Sequence, residues 1–144
     1  MSENNDLESI RHFMKKNHLL TICARDEEDM WCANCFYVAD VESMSLYFMT
    51  DSKTRHGGLM VKNNTVVGTI APQPRTVAVV KGIQYQGEAI LLQDEADKAA
   101  RQLYCKRFPV ARVMNSPIWQ LRLDDIKMTD NTLGFGKKLQ WSRA

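Results

Sequence analysis

No apolar run in this 144-residue chain approaches the roughly 20 residues that a membrane-spanning helix needs. The first six residues, Met1 to Asp6, are polar and acidic, without the basic start and apolar middle of a secretory leader, so a cytoplasmic location is expected. Charge of one sign is also scarce. The formal net charge is only +2, and the basic pairs Lys15/Lys16, Lys106/Arg107 and Lys137/Lys138 are scattered, which argues against a concentrated nucleic-acid face. There is no internal repeat, no linker and no low-complexity tract. Cysteine is limited to Cys23, Cys32, Cys35 and Cys105. Cys32 and Cys35 have C-x-x-C spacing, but they fall in an apolar segment that reads as a strand, where residues three apart face opposite ways. No second pair completes a four-ligand zinc site, so no metal is predicted and the cysteines read as free thiols.

What is present, 44% hydrophobic and 25% charged residues, suits one globular domain over residues 1–144. Leu7, Ile10, Phe13 and Met14 recur at helical spacing, which predicts a helix over 6–16 capped by Asp6 and ended by Asn17. Residues 18–25 are apolar on both faces and read as a buried strand. A turn at 26–29, a strand over 30–39, a turn at 40–43 and a strand over 44–50 then predict an antiparallel meander. A short helix is expected over 52–62, interrupted by Gly57 and Gly58, and a strand over 65–71. Residues 76–92 read as one long strand that bends or bulges at Gly82 and Gly87. Asp94 is expected to cap a helix whose buried stripe is Ala96, Ala99, Ala100, Leu103 and Tyr104. Residues 110–117 read as loop, and strands are expected over 118–129 and 138–142. The sum is a mainly β domain: a six- to seven-stranded antiparallel split β-barrel with about three flanking helices.

The sharpest chemical signal is the run Thr50-Asp51-Ser52-Lys53-Thr54-Arg55 at the end of an apolar strand. A phosphate group needs cations, hydroxyl or amide donors and, best of all, a helix N-terminus with unpaired N–H groups. Thr50 and Ser52 supply hydroxyls, Lys53 a compact cation and Arg55 a planar fork for two oxygens. Cations near a helix N-terminus are unfavourable unless an anion is present, so the basic pair points to a ligand. The alternative is a helix cap by Ser52 whose first turn happens to be basic. His56, beside Arg55, reads as a helix-surface residue, with a place facing the ligand as the alternative, and His12 and His18 flank the end of the first helix as surface or cap residues. Asp124-Asp125 reads as a turn, and Gly134-Phe135-Gly136-Lys137-Lys138 as a glycine-rich hairpin without the spacing of a nucleotide loop.

The strand ending in Thr50, the Ser52-Lys53-Thr54-Arg55 segment after it, and Gly87-Glu88-Ala89 before Asp94 resemble the FMN-binding split barrels of the pyridoxamine 5'-phosphate oxidase-like group. A closer likeness spans nearly the whole chain. Trp31-Cys32-Ala33-Asn34, Lys53-Thr54-Arg55-His56, Arg107-Phe108-Pro109-Val110-Ala111-Arg112 and the segment from Thr129 to Lys138 are similar to the YhbP-like family of small bacterial proteins. The resemblance implies a Greek-key barrel and a homodimer with FMN in a cleft at the subunit interface. It implies phosphate contacts from Thr50, Ser52, Lys53 and Arg55, with Met49, Asn34 and Phe36 beside the isoalloxazine ring. It names no catalytic residue. Where the true oxidases begin their first flavin-contacting strand with Arg, this chain has Trp31-Cys32. Three functions are compatible with the residues: a flavin-dependent oxidoreductase, a non-enzymatic module binding another phosphorylated ligand or a protein partner, and a nucleic-acid-binding barrel, which the dispersed charge disfavours.

Overall fold

The computed structural model describes residues 2–144. Seven strands form one antiparallel sheet: β1 (Leu19–Arg25), β2 (Met30–Asp40), β3 (Ser45–Met49), β4 (Thr65–Ile70), β5 (Lys81–Leu91), β6 (Ile118–Asp130) and β7 (Lys138–Ser142). Their order is β3-β2-β1-β4-β5-β6-β7, and β3 also pairs with β6. That second pairing closes six strands into a barrel and leaves β7 outside as an extra strand on β6. The first four strands follow a Greek key, with β4 returning beside β1.

Strand β1 shows why the barrel forms. Leu20, Ile22 and Ala24 are fully buried, while Leu19, Thr21 and Cys23 face outward. Its apolar outer residues suggested a strand buried on both faces; the structure fully buries one and leaves Thr21 and Cys23 half-buried and Leu19 exposed on the other. Leu46, Phe48, Trp119, Leu121, Ile70 and Ile83 complete the interior, and helix α1 (Ser2–Lys16) adds Ile10, Phe13 and Met14 to it. Inside the barrel the Tyr85 phenol crosses Gly68 and donates to the Thr21 carbonyl at 2.8 Å, a path that a side chain at position 68 would block.

β6 pairs with three strands, β3, β5 and β7, and carries a bulge against β5. Leu123 faces Gly87 while Asp125 faces Gln86, so Asp124 has no partner on β5. The extra residue shifts the alternation by one and keeps both Leu121/Leu123 and Ile126/Met128 in the core. The irregularity expected at Gly87 is therefore real, but the additional residue lies on the partner strand. Asp124-Asp125 is strand, not turn. Gly87 is needed for close approach, since a Cβ there would meet the Arg122 carbonyl.

Several predicted boundaries shift. α1 begins before Asp6, whose carboxylate accepts the Gln140 N–H at 3.4 Å instead of capping. Asn17 does end the helix, donating to the Phe13 carbonyl from its backbone and its side chain. The strand expected from residue 76 starts at Lys81, with a 3-10 turn at Val77–Val79. β4 stops at Ile70, so residues 71–79 have no strand to pair with, and they are exposed. The helix expected over 52–62 is α2 (Arg55–Lys62), capped by Thr54 rather than Ser52. Helix α3 (Asp94–Arg107) has Gln93 at its cap position, and Asp94 is its first residue, held at φ 55°. Only Ala100 and Tyr104 of its expected stripe are buried. It packs on the outside of β2, β3 and β6 through these two residues, leaving Ala96, Ala99 and Leu103 exposed. Part of the loop expected over 110–117 is a 3-10 turn, Pro109–Val113. Among the described residues no helix is long and apolar enough to cross a membrane.

Candidate functional site

The segment after β3 is built from its hydrogen bonds. The Thr50 N–H donates to the Pro117 carbonyl at 3.2 Å, and the Trp119 indole N–H donates to the Thr50 carbonyl at 3.1 Å. Both tie the end of β3 to the start of β6. The Asp51 carboxylate accepts the Lys53 N–H at 2.9 Å, and the Asp51 carbonyl accepts from the Thr54 N–H and hydroxyl. The Thr54 hydroxyl then accepts the Gly57 N–H at 3.0 Å, which starts α2. This tight turn requires a glycine at 57, because a Cβ would run into the Asp51 carbonyl. The first N–H groups of α2, those of Arg55 and His56, are left without a protein acceptor among the described residues.

The predicted phosphate residues therefore sit in one turn with unequal freedom. Lys53 is exposed and forms no ion pair among the described residues, and the half-buried Ser52 has no side-chain partner there. Thr50 is buried, and its hydroxyl lies 2.7 Å from His56 Nε2. Arg55 is engaged: its guanidinium grips the Asp29 carboxylate bidentately at 2.8 and 2.6 Å and lies 3.9 Å over the Trp31 ring. That pairing holds the Asp29 carboxyl below its ordinary range, the Arg55 hydrogen bond being the main cause. Two contributors were missed in the sequence: Asp29 and Trp31. They lie 26 and 24 positions before Arg55, a separation with no local signal. His56, two positions after the Thr54 cap, reaches back over the turn to Thr50 instead of lying on the helix surface.

His56 is half-buried, and desolvation lowers its pKa from the ordinary 6.5. The neutral ring is therefore favoured in the folded state. The contribution is fully present above pH 6.5 and is lost as pH falls below that value towards the lowered folded pKa. Denaturant midpoints measured from pH 7.5 to 5 should fall as the pH drops. In His56→Gln, which keeps a hydrogen-bonding group but cannot titrate, the decline over that window should flatten.

The predicted ring-side residues lie on and beside the outer face of β2. Asn34 is exposed, and its side-chain oxygen accepts the Thr21 hydroxyl at 2.8 Å, leaving the amide N–H groups free to donate outward. Phe36 is 51% exposed and is the centre of an aromatic group. It stacks on His18 at 5.7 Å with the planes 4° apart, and meets Phe108 at 5.6 Å. Tyr104 fixes this end of α3 by donating to the Phe36 carbonyl at 3.2 Å. The β2–β3 register pairs Tyr37 with Phe48, so one further step brings Met49 beside Phe36. Met49 is buried, however, packed with Ala100, Tyr104, Ala111 and Ile118 beneath α3. The structure thus joins Asn34, Phe36 and His18 in an open face, with Met49 as the packing behind it. Among the described residues no group of three or more His, Cys, Asp or Glu side chains is arranged to hold a metal ion.

No family model matches the chain. It is similar to a UPF0306 protein of Yersinia enterocolitica, 60% identical over 143 residues, covering 99% of this chain and 97% of the relative. It is also similar to a UPF0306 protein of Serratia proteamaculans, 54% identical over 144 residues and covering both chains fully. Among solved structures it resembles a heme binding protein from Mycobacterium smegmatis, with TM-score 0.79 and 14% identity, covering 95% of this chain and 57% of that one. A FAD-binding protein from Mesorhizobium loti matches with TM-score 0.70 and 10% identity, covering 84% and 91%. HutZ, the heme storage protein of Vibrio cholerae, matches with TM-score 0.70 and 11% identity, covering 85% and 92%. At these identities the structural likenesses establish a shared split-barrel fold.

Proposed function

The chain belongs to the UPF0306 family, and we propose that it is an FMN-binding split-barrel protein serving as a small flavin-dependent oxidoreductase. The observation that carries the reading is the turn after β3, which offers one unpaired cation, one free hydroxyl and two outward N–H groups of α2 in a single place. That donor set suits a phosphate monoester, which is rich in acceptor oxygens. Lys53, Ser52 and the α2 N-terminus would hold the phosphate, with Thr50 supporting the turn from within. Arg55 would join by sharing its guanidinium with Asp29. The exposed Phe36 face offers apolar contact for a planar ring, and the free amide of Asn34 can donate to the ring's polar edge. Bound FMN would supply the electron-transfer chemistry, and the protein would position it and limit its contact with water. The open face containing Phe36 is expected to be completed by a second copy of the chain in a homodimer.

Flavin fluorescence, measured while the purified protein is titrated with FMN, tests this reading. Saturable quenching with a micromolar or tighter Kd is expected. Absence of binding to FMN and to any other phosphorylated cofactor at micromolar concentration would overturn it. One observation favours a second reading. With Arg55 committed to Asp29, the cradle has a single free cation, which suits a non-enzymatic module for another phosphorylated ligand. FMN binding with no turnover by reduced nicotinamide cofactors would support that alternative.

A further inference from the structure

The C-x-x-C pair behaves as its strand position requires: Cys35 is buried and Cys32 is exposed on the opposite face. The register supplies Cys32 with a different neighbour. Cys23 of β1 lies directly opposite it across the antiparallel pair, and the parity of both strands turns both side chains outward. Antiparallel pairs alternate between hydrogen-bonded and non-hydrogen-bonded sites, and two bonds identify which this is. The Tyr37 N–H donates to the His18 carbonyl at 3.0 Å, and the Asp26 N–H donates to the Asp29 carbonyl at 2.9 Å. Both fall at even positions of β1's register, so Cys23 and Cys32 occupy a non-hydrogen-bonded site. At such sites the Cα atoms are about 4.5 Å apart and the side chains are at their closest. That spacing falls within the range that a disulfide spans, about 4.4–6.8 Å. The next site of the same class shows the closeness directly, with the Thr21 hydroxyl and the Asn34 side-chain oxygen only 2.8 Å apart.

We infer that Cys23 and Cys32 form a reversible cross-strand dithiol–disulfide site on the outer face of the barrel. Cys32, the more exposed, is the entry point. Its thiolate attacks one sulfur of a small-molecule disulfide, such as oxidised glutathione, to give a mixed disulfide and one released thiol. The Cys23 thiolate then attacks the Cys32 sulfur, forming the Cys23–Cys32 bond and expelling the second half as a thiol. Two protein thiols are oxidised and one small disulfide is reduced to two thiols. Cys35 is enclosed in the core, where burial raises its pKa to about 11, and it takes no part. The site stands independently of flavin binding, but it is one row along the same face from Thr21 and Asn34, so its redox state constrains the strands that carry Asn34.

The test is to incubate the native full-length protein with oxidised glutathione, alkylate the remaining thiols and map the peptides. The expected product is an intramolecular Cys23–Cys32 link with Cys35 and Cys105 still free, fully reversed by dithiothreitol. Cys23→Ser should stop at a glutathione adduct on Cys32, and Cys35→Ser should close the link as the unaltered chain does. Any of four outcomes would overturn the inference: no oxidation, a stable adduct on Cys32 with Cys23 unreacted in the unaltered chain, a link that uses Cys35 or Cys105, or a link between two chains.

Discussion

Trp119→Ala is expected to cost about 3–5 kcal/mol of stability, the range for truncating a large buried aromatic side chain. Trp119 is 1% exposed on β6, stacks against Phe48 with ring centroids 6.5 Å apart, and faces Phe48 in the β3–β6 register. It therefore fills the core at the pairing that closes the barrel. Its indole also donates to the Thr50 carbonyl, so it anchors the start of the phosphate turn. Trp119→Phe separates the two roles. It keeps most of the packing but leaves a buried carbonyl without its donor, for a loss of about 1–3 kcal/mol. Urea or guanidinium unfolding of the two variants measures both, and a Trp119→Phe variant as stable as the unaltered chain would show that the hydrogen bond contributes nothing.

Lys53→Ala should weaken FMN binding by roughly 10-fold to 100-fold, the equivalent of one charge-assisted contact of about 1.5–3 kcal/mol. Lys53 is exposed and unpaired among the described residues, so its removal should leave stability within about 0.5 kcal/mol. Riboflavin has the same ring without the phosphate, and its affinity should be unchanged by the substitution. Adding Arg55→Ala should weaken FMN further, though not additively, because it also frees the Asp29 carboxylate beside the turn and uncovers Trp31. A variant that lost FMN and riboflavin equally would place Lys53 away from the phosphate.

The barrel was legible in the sequence because its signals are local. Apolar strands β1, β2 and β3, with short turns between them, specify a meander, and the glycine at 87 announces an irregular strand. Harder to read was anything set by a distant partner. Residues 76–80 have strand-forming composition, yet the short β4 gives them nothing to pair with. Ala96, Ala99 and Leu103 have helical spacing, but α3 buries only Ala100 and Tyr104 of that stripe. The same limit applies to the candidate site. The hydroxyl and basic residues from Thr50 to Arg55 follow one another in the chain, and their common turn could be foreseen. Asp29 and Trp31 reach Arg55 only through the folded barrel, and the facing of Cys23 by Cys32 depends on a strand register that spacing alone does not reveal.

The absorbance spectrum of the protein as purified, followed by denaturation and mass identification of any released chromophore, tests the central claim most directly. The account predicts a flavin spectrum and released FMN, or the same spectrum after reconstitution of a colourless preparation with FMN. A heme spectrum, or a protein that stays colourless after FMN is added, would contradict it.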